Sequence, residues 1–205
     1  MQRNTQHHNH VRLFGNPALE ALTVMSATAF MIIWAILLPA ILVAAVVFAP
    51  TLWAPVLVVA GIGIWTFTEY ALHRFVFHFA PRSALFEKFV FLIHGNHHTA
   101  PNDPLRNLMP LVVSAPIAAV VWLLMVAAIG PEGTWSFLGF MAGYVFYDLL
   151  HYACHQWPMK SRLARMFKVH HMRHHHLKAD GNYAITGIFW DSVLATRLRS
   201  KHDQA

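Results

Sequence analysis

The sequence is poor in charged residues and contains a single cysteine. Of its 205 residues, 12% are charged and 57% are hydrophobic, whereas a soluble domain carries about 25% charged residues. One cysteine excludes an intrachain disulfide and a cysteine-based zinc site, so any bound metal needs nitrogen or oxygen ligands. The composition predicts an integral membrane protein. Membrane topology then explains the net charge of +6, and no nucleic-acid partner is expected.

Four apolar stretches predict four membrane spans. A hydrocarbon core needs about 20 apolar residues in a helix, fewer where the helix continues beyond the bilayer. The predicted spans are residues 21–48, 52–72, 108–130 and 134–155. We expect residues 1–18 to be a disordered cytosolic tail and residues 19–205 to form one membrane domain. Its expected cytosolic segments are residues 73–107 and 156–200.

The basic residues predict the orientation of the spans. All fifteen Lys and Arg residues lie before the first span, between the second and third, or after the fourth, and the loops 49–54 and 130–133 contain none. The positive-inside rule makes this side cytoplasmic. Both termini are then expected in the cytoplasm.

Ten of the sixteen histidines form four clusters on the same predicted side. The clusters are His73 with His78; His94 with His97 and His98; His151 with His155; and His171 with His174 and His175. Neutral imidazole is the commonest side-chain metal ligand. The clusters therefore predict two metal ions at the cytoplasmic ends of the spans. His170 and His176 are expected to lie outside the ligand set.

The spacing within the clusters predicts how the imidazoles point. Both triplets are spaced i, i+3, i+4, so three imidazoles are expected to share one helix face and converge on one point. His151 and His155 have the spacing of zinc ligands in helical metalloproteases. His73 and His78 are five residues apart and would diverge on an ideal α-helix, so we expect them to flank a bend. Residues 83–98 are predicted to be a helix on the inner leaflet.

Three carboxylates are candidates for orienting the histidines. Metal-bound histidines usually donate their second nitrogen to an acceptor, often a carboxylate. Glu69 lies four residues before His73, and Asp148 lies three before His151. Asp191 is the third candidate, near the last cluster. The alternative for these acids is an interfacial ion pair with a nearby arginine.

These residues resemble the membrane fatty acid hydroxylase superfamily of histidine-box diiron proteins. The segments that carry the resemblance are residues 65–78, 94–98, 147–155, 171–175 and 189–191. They are most similar to fatty acid and ceramide 2-hydroxylases that lack a cytochrome b5 domain. The resemblance implies an all-α integral membrane fold, with four transmembrane helices capped by a cytosolic helical region. It also implies that this region holds a dimetal site with the ten histidines as ligands.

The resemblance implies an O2-dependent non-haem diiron monooxygenase that hydroxylates C2 of a lipid acyl chain. Two iron ions are the expected cofactors, and zinc is a substitute in purified protein. Because 205 residues leave no room for a fused cytochrome b5 domain, we expect a separate cytochrome b5-like or ferredoxin-like electron donor. The size favours a bacterial inner membrane over the endoplasmic reticulum. Alternatives are a sterol desaturase, a sterol methyl oxidase, a carotenoid hydroxylase and, more distantly, a metal transporter.

Overall fold

A computed structural model describes residues 11–79, 83–177 and 179–198, which form helices joined by short connections. In chain order these are α1 (Pro17–Leu22), α2 (Ala27–Phe48), α3 (Ala54–Leu72), π1 (His73–Phe77), α4 (Ala84–Val90), π2 (Phe91–Gly95), α5 (Asn96–Thr99), α6 (Leu111–Ile129), α7 (Gly133–Gln156), α8 (Arg162–His176) and α9 (Phe189–Val193). No β-strand occurs in the three described ranges. The prediction of an all-helical chain is confirmed.

Three helices of the described chain are long and apolar enough to cross a membrane. They are Ala27–Phe48, Ala54–Phe77 and Leu111–Ile129, and they overlap the first three predicted spans. Helix α7 has 24 residues but is more polar. Because α7 packs against α2, α3 and α6, much of its surface faces protein and needs little hydropathy. The protein is therefore a membrane protein, and a fourth span remains a prediction.

Helices α3 and α7 approach each other closely and form the centre of the bundle. A Cβ atom on Gly61 would lie 1.9 Å from a carbonyl oxygen of α7, and one on Gly139 would lie 2.0 Å from a carbonyl oxygen of α3. Only glycine permits this distance between the two backbones. The rings of Trp65 and Tyr144 pack edge to face, with centroids 5.3 Å apart. This packing brings together the helix ends that carry His73 and His151.

A π-helix corrects the expected geometry of His73 and His78. The His78 N–H donates to the His73 carbonyl oxygen at 3.2 Å, which is the i to i+5 bond of a π-helix. The wider turn returns residues five apart to one face, and the two imidazole centroids lie 5.0 Å apart. In place of the expected bend between the two histidines, the chain forms a π-helical turn, and the divergence of an ideal α-helix does not arise.

A second π-helix lies in the segment that carries the first histidine triplet. The Asn96 amide donates to the carbonyl oxygens of Phe91 and Leu92 at 3.0 and 2.8 Å, which occupies acceptors of the wide turn. Helix α4, π2 and α5 follow one another without a break. The predicted helix over residues 83–98 is confirmed from Ala84 onward, and its place on the inner leaflet stays a prediction.

The N-terminal segment is held against the linker before α6. The Val11 N–H donates to Asp103 Oδ2 at 3.0 Å, and the buried Arg106 guanidinium donates to the Val11 carbonyl oxygen at 2.8 Å. The prediction of a disordered tail over residues 1–18 is therefore wrong from residue 11 onward, because a buried guanidinium requires hydrogen-bond acceptors that this segment supplies. Residues 1–10 lie outside the described ranges.

Candidate metal centre

The ten predicted histidines come together in two groups of five. Within each group one possible ligand atom per residue lies within 4.8 Å of all the others. The first group contains His73, His78, His94, His98 and His174; the second contains His97, His151, His155, His171 and His175. The groups touch, because His98 of the first stacks on His175 of the second with centroids 4.2 Å apart.

Each triplet divides between the two groups. His94 and His98 belong to the first group, while His97, between them in the chain, belongs to the second. The three imidazoles of a triplet do not converge on one point as expected, because successive residues of a helix are rotated by about 100°. Positions i and i+4 lie about 40° apart, but i+3 and i+4 lie about 100° apart and point in different directions.

The two halves of the chain, residues 73–98 and residues 151–175, exchange one histidine each. The second triplet divides as the first does, so that His171 and His175 stay in the second group and His174 enters the first. Each half supplies four imidazoles to its own group and one to the other. Neither group is complete within one half, so both depend on the packing of the α4–α5 segment against α8.

Backbone carbonyl oxygens orient three of the histidines through Nδ1. The pairs are His73 with Tyr183, His174 with Gly181 at 2.8 Å, and His151 with Asn107 at 2.9 Å. Because a carbonyl oxygen only accepts, each of these Nδ1 atoms carries the ring proton. The lone pair of each neutral ring is then on Nε2, which points into the histidine group.

The Nε2 atoms face one another at the spacing of ligands on a common ion. The distances are 3.0 Å for His73–His94, 3.1 Å for His98–His174, 2.9 Å for His97–His151 and 2.8 Å for His155–His171. Two nitrogens about 2.1 Å from one ion and at right angles to each other lie about 3 Å apart. His78 Nε2 is buried in the first group without a hydrogen-bond partner. The residues therefore fit one metal ion in each group.

Burial keeps these imidazoles neutral. It holds the pKa of His94 and His97 well below the ordinary histidine value, and neighbouring imidazoles lower both further. Burial also lowers the pKa of His98 to about 3 and that of His174 to about 4. Because metal binding needs the neutral ring, the site is ready for cations at neutral pH.

Glu69 and Asp191 act on the histidines through the segment that follows α8. Glu69 Oε1 accepts the N–H groups of residues 185, 186 and 187 at 3.2, 2.8 and 2.8 Å. Asp191 accepts the N–H groups of residues 183 and 184, both at 2.9 Å. The expectation that these acids orient ligands directly is corrected: they fix the segment whose Tyr183 carbonyl oxygen contacts His73. His170, expected outside the ligand set, is bonded to Asp191 at 3.0 Å.

Asp148 has a similar indirect role. Its Oδ2 accepts the Met109 N–H at 3.0 Å and the Tyr144 hydroxyl at 3.1 Å. Asp148 therefore fixes the segment before α6 next to Asn107, whose carbonyl oxygen contacts His151. A backbone carbonyl oxygen can orient a histidine as well as a carboxylate can. Because every residue type has one, the sequence does not mark which carbonyl oxygen will do so.

Asn107 contacts two histidines of the second group and was missed in the sequence. Its carbonyl oxygen accepts the His151 Nδ1–H, and its side-chain N–H donates to His97 Nδ1 at 3.0 Å. It is buried and receives a further hydrogen bond of 2.7 Å from Gln156. An asparagine at the boundary of an apolar run carries no sequence signal for this role.

We expect Asn107→Ala to weaken metal binding by the second group about 10- to 100-fold, the usual cost of losing a contact that orients a ligand. Ligation through His97 Nε2 puts the ring proton on Nδ1, so the Asn107 amide has to turn its Oδ1 to accept that proton when a metal binds. The backbone contact to His151 remains, so only His97 is released. Metal content after dialysis against graded chelator concentrations measures the effect. Exposed Asn102→Ala is the matched control. Equal metal retention by both variants would contradict the role of Asn107.

An apolar cavity of about 730 Å³ opens onto both histidine groups. Its lining includes His94 of the first group, and His97 and His151 of the second. The remaining wall is mainly aliphatic and aromatic and reaches Phe140. Because His151 and Phe140 are eleven residues apart on α7, the cavity extends about 16 Å along the helix axis. It can hold an extended apolar chain with one end at the histidines.

A sequence model of the fatty acid hydroxylase family matches residues 58–196, which include all ten histidines. The chain belongs to this family. It is 38% identical over 146 residues to a dihydroceramide fatty acyl 2-hydroxylase of Arabidopsis thaliana, covering 71% of the chain and 62% of the relative. It is 35% identical over 191 residues to a ceramide very long chain fatty acid hydroxylase of Schizosaccharomyces pombe, covering 90% and 54%.

A solved structure supports the same assignment. Full-length scs7p, in which only the hydroxylase domain is visible, matches with a TM-score of 0.82 and 33% identity, over 91% of this chain and 72% of that one. The chain spans 62% and 54% of the two curated relatives' lengths. The similarity therefore concerns the hydroxylase domain.

Proposed function

We propose that this protein adds a hydroxyl group at C2 of a lipid acyl chain, free or within a ceramide. One observation carries the proposal: a single apolar cavity reaches His94 of the first histidine group and His97 and His151 of the second. An acyl chain in this cavity has its carboxyl-proximal carbons at the histidines. The names of the relatives, which specify ceramide and fatty acyl 2-hydroxylases, support C2.

The reaction consumes one O2, two electrons and two protons, and yields the 2-hydroxy lipid and water. We propose that the ten histidines hold two iron ions. Iron binds imidazole readily, and when bound it supplies the O2-activating redox chemistry that an unactivated C–H bond requires. Zinc fits the same ligands but has no redox chemistry, so zinc in purified protein would be a substitute.

The chain itself positions the substrate and excludes water. Leu72, Val76 and Leu108 are among the apolar side chains of the cavity near the histidines. They give an acyl chain a mainly apolar environment. Carbonyl oxygens keep Nε2 of His73, His151 and His174 pointed into the histidine groups, so these three rings do not reorient during the reaction. This fixed geometry selects one carbon of the chain.

The proposed arrangement in the membrane places the histidines on the cytoplasmic side. In it, α7 is the fourth span, both termini are cytoplasmic, and the exposed Phe86 and Phe89 of α4 contact the inner leaflet. A separate soluble electron donor, cytochrome b5-like or ferredoxin-like, then reaches the metal centre from the cytoplasm. We favour a bacterial inner membrane as the location.

The test uses the full chain, loaded with iron in the absence of oxygen. It is then supplied with a reduced electron donor, isotopically labelled O2 and a ceramide deuterated at C2 of its acyl chain. We expect a 2-hydroxy ceramide that has lost one deuterium and gained one labelled oxygen atom, measured by mass spectrometry. The zinc-loaded chain is the matched control and should give no product. Hydroxylation at another carbon, or of a sterol in preference to acyl lipids, would overturn the proposal.

A further inference from the structure

A second cavity, of about 470 Å³, lies on the outer face of α8 and has a cationic lining. Five basic side chains line it, together with His170, Met166, Val169 and Ile188. The basic residues are Lys160, Arg162, Arg165, Arg173 and Arg197. No carboxylate belongs to this lining within the described ranges. The cavity shares no lining residue with the apolar cavity at the histidines.

The cationic cavity lies on the opposite side of α8 from the metal centre. Arg162, Val169 and Arg173 fall within about 40° of one another around the helix, and His171 lies about 180° from Arg162. Helix α8 therefore presents His171, His174 and His175 to the bundle and its arginines outward. A ligand in the outer cavity cannot reach the reacting carbon, so this site has another purpose.

The cavity adjoins the membrane-spanning part of the protein. Its residue Ile188 directly precedes α9, and the α9 residue Trp190 packs on Phe67 with ring centroids 5.1 Å apart. Trp190 Nε1 also donates to Thr66 Oγ1 at 3.3 Å. Both partners lie in the helix Ala54–Phe77, which is apolar enough to cross a membrane. The exposed Phe189 and Val193 of α9 extend this apolar surface beside the cavity.

We propose that this cavity binds the phosphate of an anionic phospholipid from the adjoining leaflet. Arginine forks match phosphate oxygens in charge and geometry. Met166, Val169 and Ile188 offer an apolar surface to the glycerol and proximal acyl carbons. Basic pockets on the cytoplasmic side of membrane proteins recognise lipid headgroups in this way. Phospholipid binding needs membrane insertion but not the hydroxylation reaction. The lipid-binding proposal and the proposed function can therefore fail separately.

The test titrates the full chain in neutral detergent micelles with phosphatidylglycerol or phosphatidylcholine and counts bound lipid by native mass spectrometry. We expect tighter binding of phosphatidylglycerol. Arg165→Gln should weaken it about tenfold, the value of one hydrogen bond to a charged group. Lys88→Gln, which removes one exposed charge of α4 outside the cavity, is the matched control and should leave binding unchanged. Arg165→Lys keeps the charge and should have an intermediate effect.

Three results would overturn the proposal. Equal binding of the two lipids by the wild-type chain would show that the cavity does not select for a net negative headgroup. Equal losses in Arg165→Gln and Lys88→Gln would place the lipid elsewhere. Full competition by glycerol phosphate at the concentration at which the lipid binds would identify a soluble phosphate ester as the ligand instead. If Arg165→Gln unfolds, lipid binding by Arg165→Lys is compared with that by Lys88→Gln, and equal binding by these two variants would overturn the proposal.

Discussion

His97→Ala should remove metal from the second histidine group, although both flanking members of its triplet belong to the first. His97 Nε2 lies 2.9 Å from His151 Nε2 and 3.1 Å from His175 Nε2. Loss of a contact that merely orients a ligand costs about 10- to 100-fold in affinity or activity, so loss of the ligand itself should cost at least about 100-fold. Metal content and product formation measure both effects. His176→Ala, on exposed α8 surface, is the control.

Double variants test the exchange between the halves directly. Mutations of one interacting unit are not additive, whereas those of independent units are. Adding His155→Ala to His97→Ala should cost little further metal, because both belong to the second group. Adding His94→Ala instead should also empty the first group. The opposite pattern would show that each triplet serves one ion and would refute the division of the triplets.

Ala118→Phe should strongly lower activity on long acyl chains while sparing short ones. Ala118 lines the apolar cavity about seven residues into α6, which corresponds to about 10 Å from the start of that helix. A phenyl ring there occupies the space that a long chain needs, and such overpacking costs about 1–3 kcal/mol. Activity on long-chain ceramide should therefore fall about 10- to 100-fold. The ratio of long-chain to short-chain turnover is the measurement.

The neighbouring residue provides a matched control for this prediction. Ala119 is exposed and does not line the cavity, so Ala119→Phe adds the same ring to the outer surface of α6. It should leave the ratio unchanged. A general loss of folded protein lowers both rates together and does not alter the ratio. An unchanged ratio in Ala118→Phe would mean that the acyl chain does not occupy this cavity.

The sequence predicted the composition of the site better than its geometry. Ten imidazoles in four clusters stood out because histidine is rare beside apolar runs, and all ten belong to the two groups. Their orientation could not be predicted in the same way. His73 and His78 share a face only because the chain adopts a π-helix there, and a spacing of five gives no sign of this on its own.

The orienting groups were the hardest to predict. Carboxylates were chosen because their side chains are visible in a sequence, but the acceptors observed at His73, His151 and His174 are backbone carbonyl oxygens. Which carbonyl oxygen comes near a histidine depends on where distant segments pack. Asp191 and Glu69 matter because they fix one such segment, a role that only the folded chain reveals.

By itself, the sequence determined that this is a helical membrane protein with ten clustered histidines, because hydropathy and residue type are local properties. The tertiary structure alone decided how those histidines are shared. Adjacent residues on a helix point about 100° apart, so His97 and His98 must serve different groups once a second triplet packs beside them. That packing depends on contacts between residues far apart in the chain, such as the 78 residues between His97 and His175, which no local pattern records.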